Sequence, residues 1–371
     1  MTATAPDPLI GQVLGGRYRI DARIGRGAHG VIYKANHLTL NRPLAVKLLS
    51  ASLAEKPLAV KRLEREGQVI AKIGHENIVG IVDFSSEPGL GYYFVMEFLE
   101  GETLQERLNR ESPLPVDVLL PIAREVCEGL IAAHEAGVMH RDIKPENVFL
   151  ARSKKSTAQV KILDFGLAGM MEADEDEDRL TRTGVLLGTP AYMSPEQAMG
   201  EHVDHLSDLY SLGVLLYEMT TGRVPFKGEN WIVTLKKQRE EAPVPPRTAR
   251  PDLSIPATLE HVILKLLRKD KRERHQSARE VLAELSTVGS VADKPPSKAP
   301  SATQARPVAT KPVAARPAPI SPPAEAVVVA REERSTMGDM PSESPARRWA
   351  FVIVAGAFAV AMLVWALLSR H

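Results

Sequence analysis

The chain has one cysteine in 371 residues, and a single thiol cannot form an intramolecular disulfide. Cys127 lies in a run with helical spacing, Val118 to Ala136, and reads as a small core residue; the missing disulfide framework matches a reducing compartment. Net charge is almost absent too. Forty-seven Lys and Arg against 46 Asp and Glu leave a formal +1, which gives no electrostatic pull toward nucleic acid. The pattern G-x-x-x-x-G-K-[ST] does not occur, so a P-loop phosphate site is excluded. The amino terminus lacks a basic segment followed by an apolar core, and no signal peptide is expected.

What the chain does contain is concentrated in one stretch, His140-Arg141-Asp142-Ile143-Lys144-Pro145-Glu146-Asn147, with Asp164-Phe165-Gly166 seventeen residues after Asn147. Moving a γ-phosphoryl group from ATP needs an oriented acceptor hydroxyl, a cation near the transferring group and a divalent metal across the phosphates. Asp142 is the candidate to accept or orient the hydroxyl proton. Lys144 is the candidate cation, and Asn147 and Asp164 supply hard oxygen ligands that suit Mg²⁺, with Mn²⁺ an alternative. A strand-like run, Val160 to Leu163, delivers Asp164. Either triplet alone also fits a charged loop ahead of a buried strand; the two together, with the asparagine between them, do not reduce to that.

Further parts occur upstream in a fixed order. Ile24-Gly25-Arg26-Gly27-Ala28-His29-Gly30-Val31-Ile32 carries G-x-G-x-x-G, glycines that let backbone amides approach phosphate oxygens. A dinucleotide fingerprint would place a helix directly after them. Here β-rich segments, Tyr18 to Ile24 and Val31 to Asn36, flank the glycines, which predicts a hairpin tip over a nucleotide. Ala45-Val46-Lys47 follows, with Lys47 the candidate to hold the α- and β-phosphates. Its carboxylate partner is expected on a helix over Pro57 to Ile73, where Val60, Leu63, Val69, Ile70 and Ile73 recur with helical spacing. Glu66 is the candidate and Glu55 and Glu64 are the rivals.

On these motifs the chain resembles a eukaryotic-type serine/threonine protein kinase, most like the bacterial membrane-anchored ones, over roughly Tyr18 to Leu285. The resemblance implies an α+β, bilobal fold: a leader over residues 1–17, a β-rich N-lobe with one key helix over 18–96, a hinge at 97–99, and a mainly helical C-lobe over 100–285. It implies Met96 as gatekeeper, Glu97 to Leu99 as the hinge to adenine, and Ile32, Ala45 and Phe149 around the ring. Gly188 to Glu196 resembles the end of an activation segment, with S-P-E where A-P-E is usual. By resemblance Glu196 pairs with Arg274, Asp208 braces the catalytic loop, and Lys144 with Thr189 marks a serine/threonine protein substrate; Thr189 would tie its segment to Asp142 and Lys144. Arg141 beside Asp142 implies control by a phosphate on the activation loop, for which Thr181 and Thr183 are the candidates, modified by autophosphorylation between two kinase molecules, a homodimer. The acidic run Glu172 to Asp178 reads as a solvated charge run, or else as a competitor for the phosphothreonine pocket. A pseudokinase scaffold is the alternative reading, against which Lys47, Asp142 and Asp164 are all retained. A peptide platform at Thr189 to Glu196 disfavours a small-molecule kinase.

Beyond Leu285 the composition changes. Residues 286–346 are rich in Pro, Ala, Ser and Lys/Arg and cannot bury enough apolar surface to offset their ordering entropy, so a disordered linker is expected. Trp349 to Leu368 is then an uncharged apolar run of twenty residues, long enough as a helix to cross a hydrocarbon core of ~30 Å. Trp349 and Trp365 sit near its ends, and Arg347 and Arg348 precede it. The expectation is a single-pass carboxy-terminal anchor in a bacterial inner membrane, with the kinase domain cytoplasmic and lipid as a partner. Gly356 and neighbouring alanines offer a small-residue surface for helix pairing.

Overall fold

The computed structural model describes residues 7–27, 30–50, 57–152, 158–165 and 189–289. The linker and the apolar run at 349–368 lie outside these, as do Ala28, His29, Glu55, Gly166, the acidic run, Thr181, Thr183 and Gly188.

The amino-terminal lobe is a six-stranded antiparallel sheet in the order β1-β2-β3-β4-β6-β5: β1 (Val13–Leu14), β2 (Tyr18–Gly27), β3 (Gly30–His37), β4 (Arg42–Leu49), β5 (Ile81–Glu87) and β6 (Gly91–Glu97). One face buries Leu14, Tyr18, Ile20, Tyr33, Ala35, Leu44, Val46, Tyr93 and Val95. This period-two burial along each strand fixes the register, since a one-residue slip would turn every core side chain to the opposite face. Against the other face packs α1 (Pro57–Ile73), through Leu63 on Leu49 and Phe94. The helix forms where the apolar spacing places it. Gly67 is its point of close approach, because a Cβ there would stand 2.9 Å from the Phe94 ring.

A three-stranded antiparallel sheet follows, β7 (Gly101–Thr103), β8 (Val148–Ala151) and β9 (Gln159–Ile162), in that spatial order. The rest of the carboxy-terminal lobe is helical: α2 (Leu104–Glu111), α3 (Val116–Glu135), α4 (Pro195–Met199), α5 (His205–Thr221), α6 (Trp231–Glu240), α7 (Pro246–Ala249), α8 (Ala257–Leu266) and α9 (Ala278–Thr287). α5 is buried on nearly all sides, as an all-round apolar helix must be. Asp204 caps its first turn by accepting from the Leu206 amide, and Gly222, at φ +80°, ends it. α3 lies against β9, α5 and α9 and buries Leu119, Ala123, Val126, Cys127 and Leu130. Cys127 is a core residue whose thiol burial pushes up, with the Glu128 charge adding to the shift. α3 and α5 thus form a rigid floor, and the catalytic loop leaves the carboxy-terminal end of α3.

Candidate active site

The glycine stretch is the turn between β2 and β3, with Gly27 opposite Gly30, Arg26 opposite Val31 and Gly25 opposite Ile32. Gly30 has a reason within the fold: at φ +148° a Cβ would stand 2.0 Å from the Leu48 carbonyl oxygen. Gly25 has none, since a Cβ there would meet only Ile32 at 3.9 Å. Its open face fits the approach of a ligand instead of packing. Ile24 beside it is half exposed, an apolar side chain left uncovered at the roof of the cleft. Beneath it, Ala45 is buried on β4 opposite Met96 on β6. Ile32 and Phe149 are partly exposed toward the same interlobe region from β3 and β8, and Leu99 is partly exposed just beyond β6.

Lys47, on β4, is almost wholly buried, and its Nζ lies 2.6 Å from Asp164 Oδ2. That corrects the expected Lys47–Glu66 pair. Glu66 is half-buried on α1, where burial raises its carboxyl above the ordinary range against the opposing pull of Arg141, Arg62 and Arg65. Of these, Arg141 belongs to the catalytic loop, and its charge favours the ionised carboxylate. An apolar cavity beside Lys47 and Asp164 is lined by Leu63, Gly67 and Ile70 of α1 together with Phe94, Met96 and Phe165.

The catalytic loop is built from below. Asp208, in the first turn of α5, accepts the His140 amide at 2.9 Å, the Arg141 amide at 2.7 Å and His134 Nε2 at 2.8 Å. Burial alone would raise the Asp208 carboxyl; these donors and the nearby imidazoles more than offset it and hold it down. The arrangement supports Arg141 at φ +66°, a left-handed conformation that costs a non-glycine residue about 1–2 kcal/mol. The imidazole of His140 links the two loops. Its Nδ1 accepts the Asp142 amide at 3.2 Å, so Nε2 carries the proton and donates to the Leu163 carbonyl at 2.6 Å. Phe165 packs on the same ring edge-to-face at 4.6 Å.

On the solvent side of that frame stand the polar groups. Asp142 Oδ2 is 2.6 Å from Lys144 Nζ. Asn147 Nδ2 donates to the Asp142 carbonyl at 2.7 Å and carboxylate at 3.0 Å, which leaves its amide oxygen as the end offered to a cation. The Leu163 amide donates to the Asn147 carbonyl at 2.8 Å, placing Asp164 next to it at φ +56°. One carboxylate and one amide oxygen fit Mg²⁺, which takes one or two protein oxygens plus phosphates. Lys47 with the exposed Ile24 fits a nucleotide in the same cleft.

The substrate side is a second rigid piece. Thr189 leads into a 3₁₀ turn, Pro190–Tyr192, and accepts the Tyr192 amide through its carbonyl. Ser194 caps α4 in a reciprocal capping box with Gln197. Glu196 receives Arg274 as a two-pronged fork, both N–O distances being 2.8 Å, with Ser207 Oγ donating to the same carboxylate at 2.6 Å. Burial alone would raise that carboxyl; the Arg274 fork and Ser207 hold it at about 2. The link from this segment to the catalytic loop is Gln197, whose amide nitrogen donates to the Arg141 carbonyl at 2.9 Å. Gln197 and His134 carry no signal in the linear motifs. Their roles arise only from what α4 and α3 bring near Arg141 and Asp208.

A small sheet lobe over a helical lobe, with an acid–lysine–asparagine loop facing a lysine from the sheet, defines the bilobal protein kinase fold. The family described as protein kinase domain matches residues 18–285, and the chain belongs to it. Among similar proteins, Serine/threonine-protein kinase pkn3 of Myxococcus xanthus is 37% identical over 282 residues, covering 76% of this chain and 52% of its own length. Serine/threonine-protein kinase PknB of Mycobacterium leprae is 36% identical over 280 residues, 75% of this chain and 44% of its own length. The chain thus spans about half or less of the curated relatives it matches. The crystal structure of the Mycobacterium tuberculosis PknI kinase domain superposes with a TM-score of 0.59 at 25% identity, over 74% of this chain and 96% of its own.

Proposed function

We propose that the chain is a serine/threonine protein kinase that transfers the γ-phosphoryl group of ATP to a protein hydroxyl. The observation that carries this reading is the constellation around Asp142: its carboxylate holds Lys144 at 2.6 Å and Asn147 at 3.0 Å, one backbone hydrogen bond away from the Asp164 loop. Asp142 is placed to accept the proton of a serine or threonine hydroxyl and aim its oxygen. Lys144 is placed to move from Asp142 to the transferring phosphoryl group. Asn147 and Asp164 would hold Mg²⁺, which when bound offsets phosphate charge as the terminal P–O bond breaks. Lys47 would hold the α- and β-phosphates, the open face of Gly25 admits them, and the backbone of Glu97 to Leu99 would meet adenine. The relatives named as serine/threonine-protein kinases support a hydroxyl acceptor.

Control by the activation segment is part of the same proposal. Lys47 sits on Asp164, and the Arg141 charge acts on the Glu66 carboxyl. A phosphate on Thr181 or Thr183 would compete for Arg141, free Glu66 to take Lys47, and so release Asp164 to the metal. Trans-autophosphorylation within a homodimer would supply that phosphate. The apolar run at 349–368 supports attachment to a membrane with the kinase domain on the cytoplasmic side; among the described residues no helix is long and apolar enough to cross one. The deciding experiment is transfer of labelled phosphate from Mg-ATP to a serine/threonine protein by the full chain, compared with Asp142→Asn. Equal transfer by both would overturn the reading.

A further inference from the structure

Glu97 ends β6 in the sheet lobe, and Lys161 lies on β9 below the cleft. Their side chains meet at 2.6 Å, with Lys161 only 13% exposed and Glu97 36% exposed. A surface ion pair of two long side chains contributes little. This one is held differently. The oxygen that receives Lys161, Glu97 Oε1, also accepts the Gly80 amide at 2.8 Å, while the Glu97 amide donates to the Gly80 carbonyl at 2.9 Å.

The segment before Gly80 is in turn joined to β9. The Val79 amide donates to the Ile162 carbonyl at 3.0 Å, and the Ile162 amide to the Asn77 carbonyl at 2.8 Å. Asn77 Nδ2 donates to the Val160 carbonyl at 3.0 Å. Asp164 follows β9 by two residues. Backbone bonds therefore tie segment 77–79 to the strand that leads to Asp164, and Gly80 ties that segment to Glu97. The one direct link between Glu97 and β9 is the ion pair, among the contacts of the described residues.

We propose that Glu97 and Lys161 are a positioning pair that fixes the hinge at a set distance from the Asp164 loop, so that adenine and metal-bound phosphates are received by one rigid frame. The proposal rests on the kinase reading, in which the hinge meets adenine and Asp164 meets the metal. Neither side chain touches the reacting atoms; both act through what they hold in place.

The test uses the full chain. Glu97→Gln keeps an acceptor for the Gly80 amide and removes only the charge, Lys161→Met removes the donor, and Lys161→Arg restores it. KM for ATP should rise about three- to tenfold in Glu97→Gln and in Lys161→Met, the size that loss of one charge-assisted bond produces. kcat should change less than about twofold on the same scale. Lys161→Arg should return toward wild type, and the double variant should be no worse than Lys161→Met, which also gives up the longer bond from Lys161 Nζ to the Ile78 carbonyl at 3.5 Å. In nucleotide-free protein, hydrogen exchange at the Gly80 and Glu97 amides should quicken in both singles. An unchanged KM for ATP, additive singles, or a parallel fall in kcat, 1/KM and thermal midpoint would overturn the proposal. If wild type transfers no more phosphate than Asp142→Asn, the kinase reading fails, and the exchange rates with the affinity for a fluorescent ADP, measured with and without Mg²⁺, still decide whether the pair ties the two halves.

Discussion

Lys47 on β4 is bonded to Asp164 at 2.6 Å, while Glu66 on α1, the carboxylate expected to hold it, lies half-buried among the charges of Arg141, Arg62 and Arg65. On the proposed reading, Lys47 must leave Asp164 for catalysis. Because burial raises the Glu66 carboxyl, folding binds a proton there that the unfolded chain has released, and its contribution to stability falls as pH rises above the ordinary carboxylate value. Glu66→Gln is therefore expected to equal or exceed wild type in urea stability at pH 8, with the difference vanishing toward pH 4, while phosphate transfer falls about tenfold or more, as for loss of a group that orients a catalytic cation. Lower stability of the variant at pH 8 would count against this account.

Asp142 should separate chemistry from folding. Asp142→Asn is expected to lower kcat by about 10²- to 10⁴-fold, the range for a positioned general base, with the thermal midpoint close to wild type. Single-turnover transfer and scanning calorimetry on the same preparation measure both.

Arg274 and Glu196 are both buried, and removing one leaves the other's charge without its partner. Arg274→Ala should cost about 3–5 kcal/mol of stability, read from urea midpoints. Glu196 adds a pH signature. Its carboxyl is held at about 2, so its stabilisation is fully present above the ordinary value of 4.5 and is lost as pH falls from there to about 2. Glu196→Gln should flatten the stability profile across that window.

Lys269 is a half-buried amine under Phe226, 3.8 Å from the ring centroid, donating to Tyr210 Oη and the Gln238 carbonyl. Burial, with Arg274 adding to it, lowers its pKa to about 7 from 10.5. Between those values the unfolded chain binds a proton that the folded chain does not, so stability should rise with pH from about 7 toward 10.5. A Lys269→Met variant should lack that rise in a series of thermal midpoints.

The activation-segment threonines are tested by mass spectrometry of active protein and by the Thr181→Ala, Thr183→Ala double variant. Phosphate is expected at one or both, with the variant slower to reach full rate. Absence of phosphate and an unchanged rate would remove them from the mechanism.

Legibility in the sequence followed the range of the interaction. The α1 helix over Pro57 to Ile73 was readable because its apolar spacing alone dictates a buried face, and the glycine turn because β-rich runs flank it. Asp142, Lys144 and Asn147 come together because six consecutive residues fold around one another. The partner of Lys47 was not readable. Which carboxylate reaches it depends on how α1 docks on the sheet, and no linear spacing encodes that placement. Gln197 and His134 escaped for the same reason, since Gln197 reaches Arg141 from α4 and His134 meets Asp208 on α5, each a partner distant in sequence. The terminal apolar run and the threonine sites lie outside the described residues.

Asp208 carries a last consequence. With three donors on one buried carboxylate, the strained turn at Arg141 is set when α5 docks, before any nucleotide or substrate arrives. The helical lobe therefore offers a finished half-site whose ordering entropy was spent during folding. What is left to vary is the cation that the sheet lobe brings to the cleft, Lys47. On the proposed kinase reading, activity then turns on which carboxylate holds that single ammonium group, Asp164 or Glu66.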